Sequence, residues 1–201
     1  MNLKDLAVIA DRVVNEPWGV GDELLASNTE SSMPYNRFLH EVVKVYEPKA
    51  VVECGVYMAT ATRHMALACI HTHVIGIDHA FHSEAYNMTY GLFNVHLIDG
   101  DTIESAPLVK RLLKEYNRHI GLLFLDSTHN NFTPRMEFSA YEEMFDYECL
   151  VCCDDILSPD MAGFWDWLPG DKVMLNQLHP MKYEHLEAFH PGFGVSIIRS
   201  K

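Results

Sequence analysis

Val51-Val52-Glu53-Cys54-Gly55-Val56-Tyr57-Met58-Ala59-Thr60 is the stretch on which the fold turns. An apolar run ends in an acid and a glycine, and a helical pattern begins at Thr60. Continuous apolar runs of this kind belong to parallel strands covered on both faces. Such a strand delivers Glu53 and Gly55 to its carboxyl end. There the turn lets a ligand approach the backbone, and the next helix points its amide N–H groups at it, which is how nucleotide-type cofactor sites are built.

Working outward, the same rhythm recurs. Period and punctuation predict strands over Ala50–Cys54, His73–Asp78, Val95–Asp99, Leu122–Asp126, Leu150–Asp154, Lys172–Leu178 and Gly194–Arg199. Helical patterns over Thr60–Ile70, Ser83–Leu92, Thr102–Arg118 and Pro134–Tyr147 separate the first five. Phe38, Leu39, Val42, Val43 and Tyr46 predict a further helix over Asn36–Tyr46, stopped by Pro48. The alternation argues for an open α/β sheet with helices on both faces. No linker, low-complexity tract or internal repeat interrupts the 201 residues, so a single domain over 1–201 is expected, with 1–33 as an amino-terminal extension or substrate lid.

The 28 acidic against 15 basic residues give a formal charge of −13, which repels a phosphate backbone and an anionic membrane surface alike. Neither nucleic acid nor membrane is an expected partner. Apolar runs are shorter than a bilayer requires, and Met1-Asn2-Leu3-Lys4-Asp5 lacks a signal-peptide pattern, so a cytoplasmic protein is expected. Of the five cysteines, Cys54, Cys149, Cys152 and Cys153 lie in strand-like apolar runs, as reduced buried thiols do. Cys149 and Cys152 have the spacing of a metal or redox pair, but in a strand their side chains point to opposite faces.

Five of these strands end in or beside a carboxylate: Glu53, Asp78, Asp99, Asp126 and the pair Asp154-Asp155. In a parallel sheet these ends share one edge, where open α/β sheets bind ligands. Asp78 lies 25 residues beyond Glu53, close to the spacing at which a second-strand acid meets the ribose of a nucleotide, or it caps the next turn. Asp99-Gly100-Asp101-Thr102 is either a cofactor loop or the cap of the following helix. Asp126, Asp154 and Asp155 resist convergence without a cation between them, and oxygen donors suit a hard ion, magnesium or calcium above zinc; capping and loop hydrogen bonds are the alternative. His129, three residues after Asp126, is a candidate general base or metal ligand, or a loop hydrogen-bonder. His71 and His73 are expected at the surface, whereas His79 and His82 follow Asp78 and are within reach of a cofactor or substrate. Phe164-Trp165-Asp166-Trp167-Leu168 would serve as an acceptor wall, a contact between copies of the chain, or core.

With these residues assembled, the chain resembles the class I S-adenosylmethionine-dependent methyltransferases. Within them it is similar to the small metal-dependent O-methyltransferase-like group that includes cephalosporin hydroxylase-like proteins. Val51–Tyr57, Leu123-Phe124-Leu125-Asp126-Ser127-Thr128-His129 and Leu150-Val151-Cys152-Cys153-Asp154-Asp155-Ile156 carry the resemblance, which runs from about Tyr35 to Arg199. Pro191-Gly192-Phe193-Gly194-Val195 resembles that group's last strand. The resemblance implies a Rossmann-like methyltransferase fold with a seven-stranded, mostly parallel sheet whose last strand is antiparallel. It implies that Glu53 and Gly55 border the methionine end of S-adenosylmethionine, that Asp78 holds the ribose, and that Asp99, Gly100, Asp101 and Thr102 flank the adenine, with Tyr57 and His79 as further cofactor-binding candidates. Asp126, Asp154 and Asp155 would hold a divalent metal, magnesium by preference, with Asp126 also touching cofactor, and His129 with Asp126 would carry the chemistry on a small-molecule hydroxyl. One departure stands out: the family has more glycine in the first turn, and Met58 puts a bulky side chain there. A differently reacting, hydroxylase-like protein and a non-catalytic cofactor-binding protein are the alternatives, and self-association is left open.

Overall fold

A strand with no polar interruption has no face to offer to water, so it belongs at the centre of a sheet. β1 (Ala50–Cys54) and β4 (Ile120–Leu125) are buried at every position and lie side by side. The computed structural model describes residues 1–16, 34–178 and 192–200. Among these, β2 (His73–Asp78), β3 (Val95–Asp99), β5 (Phe145–Cys153), β6 (Asp171–Met174) and β7 (Gly194–Arg199) complete a seven-stranded sheet in the order β3-β2-β1-β4-β5-β7-β6. The first five strands are parallel, and β7 runs antiparallel to both β5 and β6. This is the Rossmann-like methyltransferase topology. The direction of winding reverses between β1 and β4, which opens a crevice at their carboxyl ends.

Helices cover the two faces by sequence parity. Val52, Cys54, Leu123, Leu125 and Val151 point to one face, where α5 (Ala106–Glu115), α6 (Thr133–Tyr141) and α7 (Pro159–Trp167) contribute Val109, Phe138 and Phe164. Val51, Leu122, Phe124, Leu150 and Cys152 point to the other face. There α1 (Leu3–Asn15), α2 (Pro34–Tyr46) and α3 (Thr60–Ala68) contribute Leu6, Phe38 and Met65. Cys149 and Cys152 accordingly lie in different cores, as the strand period requires. Short α4 (Glu84–Thr89) flanks the β2 end. Among the described residues no helix is long and apolar enough to cross a membrane.

Several boundaries differ from the sequence expectation, most of all at the end of one helix, the start of another and the end of one strand. The helix expected to reach Tyr147 stops at Tyr141, and after one 3-10 turn β5 begins at Phe145, opposite Ile120. Aromatic Phe145 and Tyr147 favour the pleated strand over the helix. The helix expected from Thr102 begins at Ala106 with Pro107 in its first turn, because Asp101 Oδ1 accepts from the Ile103 and Glu104 backbone N–H groups and holds a separate turn. The strand expected to reach Leu178 ends at Met174, and Asn176–Leu178 forms a 3-10 turn. At the amino terminus, Asn2 and Asp5 form a capping box on α1, whose Leu6, Ile9, Ala10 and Val13 are core. The remainder of the expected extension or lid, residues 17–33, lies outside the described residues.

Asn94 is the polar pin of the β2–β3 side. Its buried Nδ2 donates to the carbonyls of Ala66, Cys69 and Thr72, joining the end of α3 to the start of β2. Asn94→Ala leaves those carbonyls short of a donor in a dry site, which costs about 1–3 kcal/mol. Urea titration is expected to show a lower midpoint at unchanged slope.

Candidate functional site at the carboxyl edge of the sheet

The turn after β1 is built from residues held at positive φ: Gly55 at 89°, Tyr57 at 48° and Ala59 at 62°. Gly55 is required by the protein itself. A Cβ there would stand 2.3 Å from the Asp126 carbonyl oxygen and 2.6 Å from Ser127 Cα. The close approach thus serves the contact between the β1 and β4 ends, before any ligand is considered. Asp78, at the end of β2, fastens this turn. Its Oδ2 accepts from the Val56 and Tyr57 N–H groups at 2.8 Å each, and Oδ1 accepts from Ala80 N–H at 2.8 Å. Burial opposes its charge, but these backbone donors hold the carboxyl below its ordinary range. Each carboxylate oxygen has two lone pairs, so the clamp does not exhaust Asp78 as an acceptor.

Around the clamp, Asp99 pairs with Asp78 in strand register, and Gly100 N–H donates to the Asp78 carbonyl at 3.0 Å. Asp99, Asp101 and Tyr57 are exposed, with Tyr57 packed against His82 at 5.5 Å. His79 lies on the rim, 3.8 Å from Asp78. Met58 is half-buried and Ala59 fully buried. Glu53 lies beneath the turn and is also buried. Thr62 Oγ1 of α3 donates to its Oε2 at 2.6 Å. Burial pushes its pKa well above the usual range against the pull of that hydrogen bond, and the charges of Asp126 and Asp78 add to the rise.

Across the crevice, Asp126 follows β4, and Asp154-Asp155 follow β5, with Asp155 at φ 52°. His129 reaches back from its loop between two of these acids, with Nδ1 2.8 Å from Asp155 Oδ2 and Nε2 3.8 Å from Asp126 Oδ1. Asp126 and then Asp155 raise the imidazole to about 10. Asp126 is itself raised to about 7, by burial first and then by the charge of Asp154, with His129 pulling the other way. Asp126 and His129 therefore titrate as a pair. Among the described residues no group of three or more His, Cys, Asp or Glu side chains is arranged to hold a metal ion. Two of the three acids expected around a cation, Asp126 and Asp155, lie against the His129 imidazole.

Two contributors were not legible as site residues. Tyr35, at the start of α2, stacks on Phe193 with ring centroids 5.9 Å apart and lies near Phe124 at 6.3 Å. Burial first, and then the charges of Asp126, Asp154, Glu53 and Asp155, push its phenol well above the ordinary tyrosine range. Glu137 of α6 is fully buried, and its Oε1 accepts from Thr102 at 2.5 Å and from Ser127 at 2.6 Å, tying the β3 loop to the β4 loop. Burial raises its pKa against those two hydrogen bonds. Neither residue sits in a motif; Glu137 reads as one more polar position on a helix. His71, His73 and the aromatic stretch are elsewhere. His73 stacks with His96 and Tyr116, while Phe164 and Trp165 are core and Trp167 packs edge-on to Phe138 with Arg135 over its ring.

Residues 52–156, just over half of the chain, match a family model described as a methyltransferase domain. No curated protein matches the sequence. Among solved structures, the chain is similar to an O-methyltransferase from Bacillus cereus in complex with SAH, at 13% identity and TM-score 0.67, covering 98% of this chain and 100% of that one. It is similar also to the O-methyltransferase TomG from Streptomyces achromogenes, involved in tomaymycin synthesis and solved with SAM, at 14% identity and TM-score 0.66, covering 100% of both chains. A methyltransferase from Geobacter sulfurreducens has 18% identity and TM-score 0.63, with 98% of this chain and 97% of that one covered. At these identities the likeness is one of fold.

Proposed function

The chain belongs to the methyltransferase family whose domain model it matches, and from that premise we propose that it moves the methyl group of S-adenosylmethionine to a hydroxyl of a small molecule. The observation that carries the reading is the Asp78 clamp. One carboxylate fixes the β1 turn at Val56 and Tyr57 while lying beside Asp99, so the adenosine side of a cofactor meets a preformed cradle. Asp78 would take the ribose hydroxyls, Asp99 to Asp101 the adenine side, and the turn from Gly55 to Tyr57 the methionine side. Two bound relatives of the fold, one with SAH and one with SAM, support the choice of cofactor.

At the reacting end, the acceptor hydroxyl must lose a proton as the methyl arrives. The Asp126–His129 pair supports that role: a carboxyl near 7 can accept a proton at neutral pH, and the imidazolium at 2.8 Å from Asp155 keeps the pair oriented. Tyr35 and Phe193 would flank the acceptor, limiting water and holding its oxygen in line with the sulfonium methyl. Divalent-metal assistance is part of the proposal on the chemistry of the donor set. Asp126, Asp154 and Asp155 offer hard oxygen donors, and the charges of Asp154 and Asp155 add to the burial that raises Asp126. They would hold magnesium, which when bound acidifies a coordinated hydroxyl. His129 competes for the same oxygens, so it must yield some of its contacts when an ion binds.

Calorimetric titration of S-adenosylhomocysteine, with and without magnesium, tests the reading. Saturable binding and, at 100-fold excess over Kd, about 2.7 kcal/mol of added stability are expected, a rise in Tm of about 5–11 °C for a chain of this size. Asp78→Ala is expected to weaken binding at least tenfold. No heat and no thermal shift in either buffer would sink the cofactor assignment. With acceptor present, S-adenosylhomocysteine must form in step with acceptor loss, which separates transfer from hydroxylase-like chemistry.

A further inference from the structure

The acidic crevice has a counterpart of opposite sign at the other edge of the sheet. Four of the 15 Lys and Arg residues, Lys110, Arg111, Lys114 and Arg118, fall within nine positions of a chain whose net charge is −13. Lys110, Lys114, Arg118 and His119 line a cavity of about 280 Å³ at the carboxyl end of α5, with Leu113 and Met144 as its apolar wall. His119 precedes the first residue of β4 and Met144 the first of β5, which puts the cavity at the amino edge, away from the Asp78 and Asp126 ends.

Basic residues commonly neutralise the carbonyl end of a helix, and Lys114 in the last turn of α5 does that. Two observations go beyond it. The Arg118 Nε–H is buried and has no hydrogen-bond partner, although buried donors are almost always matched. The one acid lining the cavity, Glu143, is taken by Lys110 at 2.7 Å, and among the described residues no carboxylate is within ion-pair distance of Lys114 or Arg118. Positive charge without a carboxylate partner thus lines a concave space large enough for a phosphoryl group and a small organic substituent.

The geometry points to a second binding site here, for a dianionic phosphoryl group, free or on a small ester, gripped by Lys114 and Arg118. Arg118 supplies planar N–H donors suited to phosphate, and Lys114 a mobile point charge. A long polyanion is disfavoured because the chain as a whole carries a formal charge of −13. The site is independent of the methyl-transfer reading, since it shares no residue with the crevice.

Inorganic phosphate and glycerol 3-phosphate, each titrated calorimetrically against potassium chloride at matched ionic strength, test the assignment. Saturable binding of either, absent with chloride, is expected, and Lys114→Gln/Arg118→Gln should weaken it at least tenfold while S-adenosylhomocysteine leaves it unchanged. Equal affinity for both probes identifies free phosphate as sufficient; tighter binding of the ester assigns its organic part to the Leu113–Met144 wall. Heat equal to that of chloride, binding retained by the double variant, or binding displaced by S-adenosylhomocysteine would each overturn the assignment. Should the double variant melt early, Lys114→Glu, an exposed reversal of charge, must still lower phosphate affinity at least tenfold.

Discussion

His129→Ala lowers methyl transfer by about 10²–10⁴-fold, the span of a positioned acid or base, with S-adenosylhomocysteine affinity unchanged. The two readouts separate chemistry from folding, because His129 sits on an exposed loop across the crevice from the Asp78 clamp. The pH profile supplies a second check. In the native pair Asp126 loses its proton near 7 and His129 near 10, so activity rises with pH through the first of these as the carboxylate becomes available. Removing His129 takes away the cation that lowers Asp126, so the residual activity's acid limb must move to higher pH. A limb that stays in place, or moves toward acid, would show that Asp126 is not the group being titrated. Stability has its own sign. A histidine raised in the folded state stabilises fully below its unfolded value of about 6.5 and ceases to do so as pH passes about 10. The native protein is therefore expected to lose, across that alkaline window, a stabilisation that the variant lacks throughout. The imidazole is 38% exposed, and solvent screening keeps the difference modest.

What the sequence made legible was what depends on period and strand ends. The apolar runs of β1 and β4 could only be central strands, and once strands are parallel, Asp78, Asp99, Asp126 and Asp154 share an edge by topology alone. The boundaries at Tyr141 and Ala106 were not legible, because Phe145–Tyr147 satisfies a helical and a pleated pattern equally and Asp101 competes for backbone donors with the helix it seemed to cap. The engagements of individual acids were hidden for a different reason. Whether Asp126 and Asp155 face a cation or an imidazolium depends on a loop rotamer, and whether Glu53 meets a ligand or Thr62 depends on a helix nine residues away. Spacing locates a carboxylate at an edge; only packing says which partner it has there. Gly55 shows the same limit, since a glycine needed for ligand approach and one needed for chain approach look alike in sequence.

Gly55→Ala discriminates between those two needs and carries the largest stability effect. A methyl group at this position meets the Asp126 carbonyl oxygen at 2.3 Å and its carbon at 2.6 Å, both backbone atoms that no rotamer change can move aside. The φ of 89° adds strain of its own for any residue with a Cβ. An unfavourable backbone conformation costs about 1–3 kcal/mol and forced overpacking about 1–3 kcal/mol, together about 2–6 kcal/mol. In a chain of this length that lowers Tm by about 5–20 °C. Relief can come only by separating the β1 turn from the β4 end, and those two segments carry the cofactor side and the Asp126–His129 side of the proposed reaction. Methyl transfer should therefore fall by about 10²-fold even well below the melting temperature, the penalty for a misplacement near 1 Å. Were Gly55 present only to admit a ligand, the variant would melt like the native protein and lose cofactor affinity alone. A Tm within 2 °C of native, measured by calorimetry in the absence of ligand, would decide for that simpler role and against the interlock of the two strand ends.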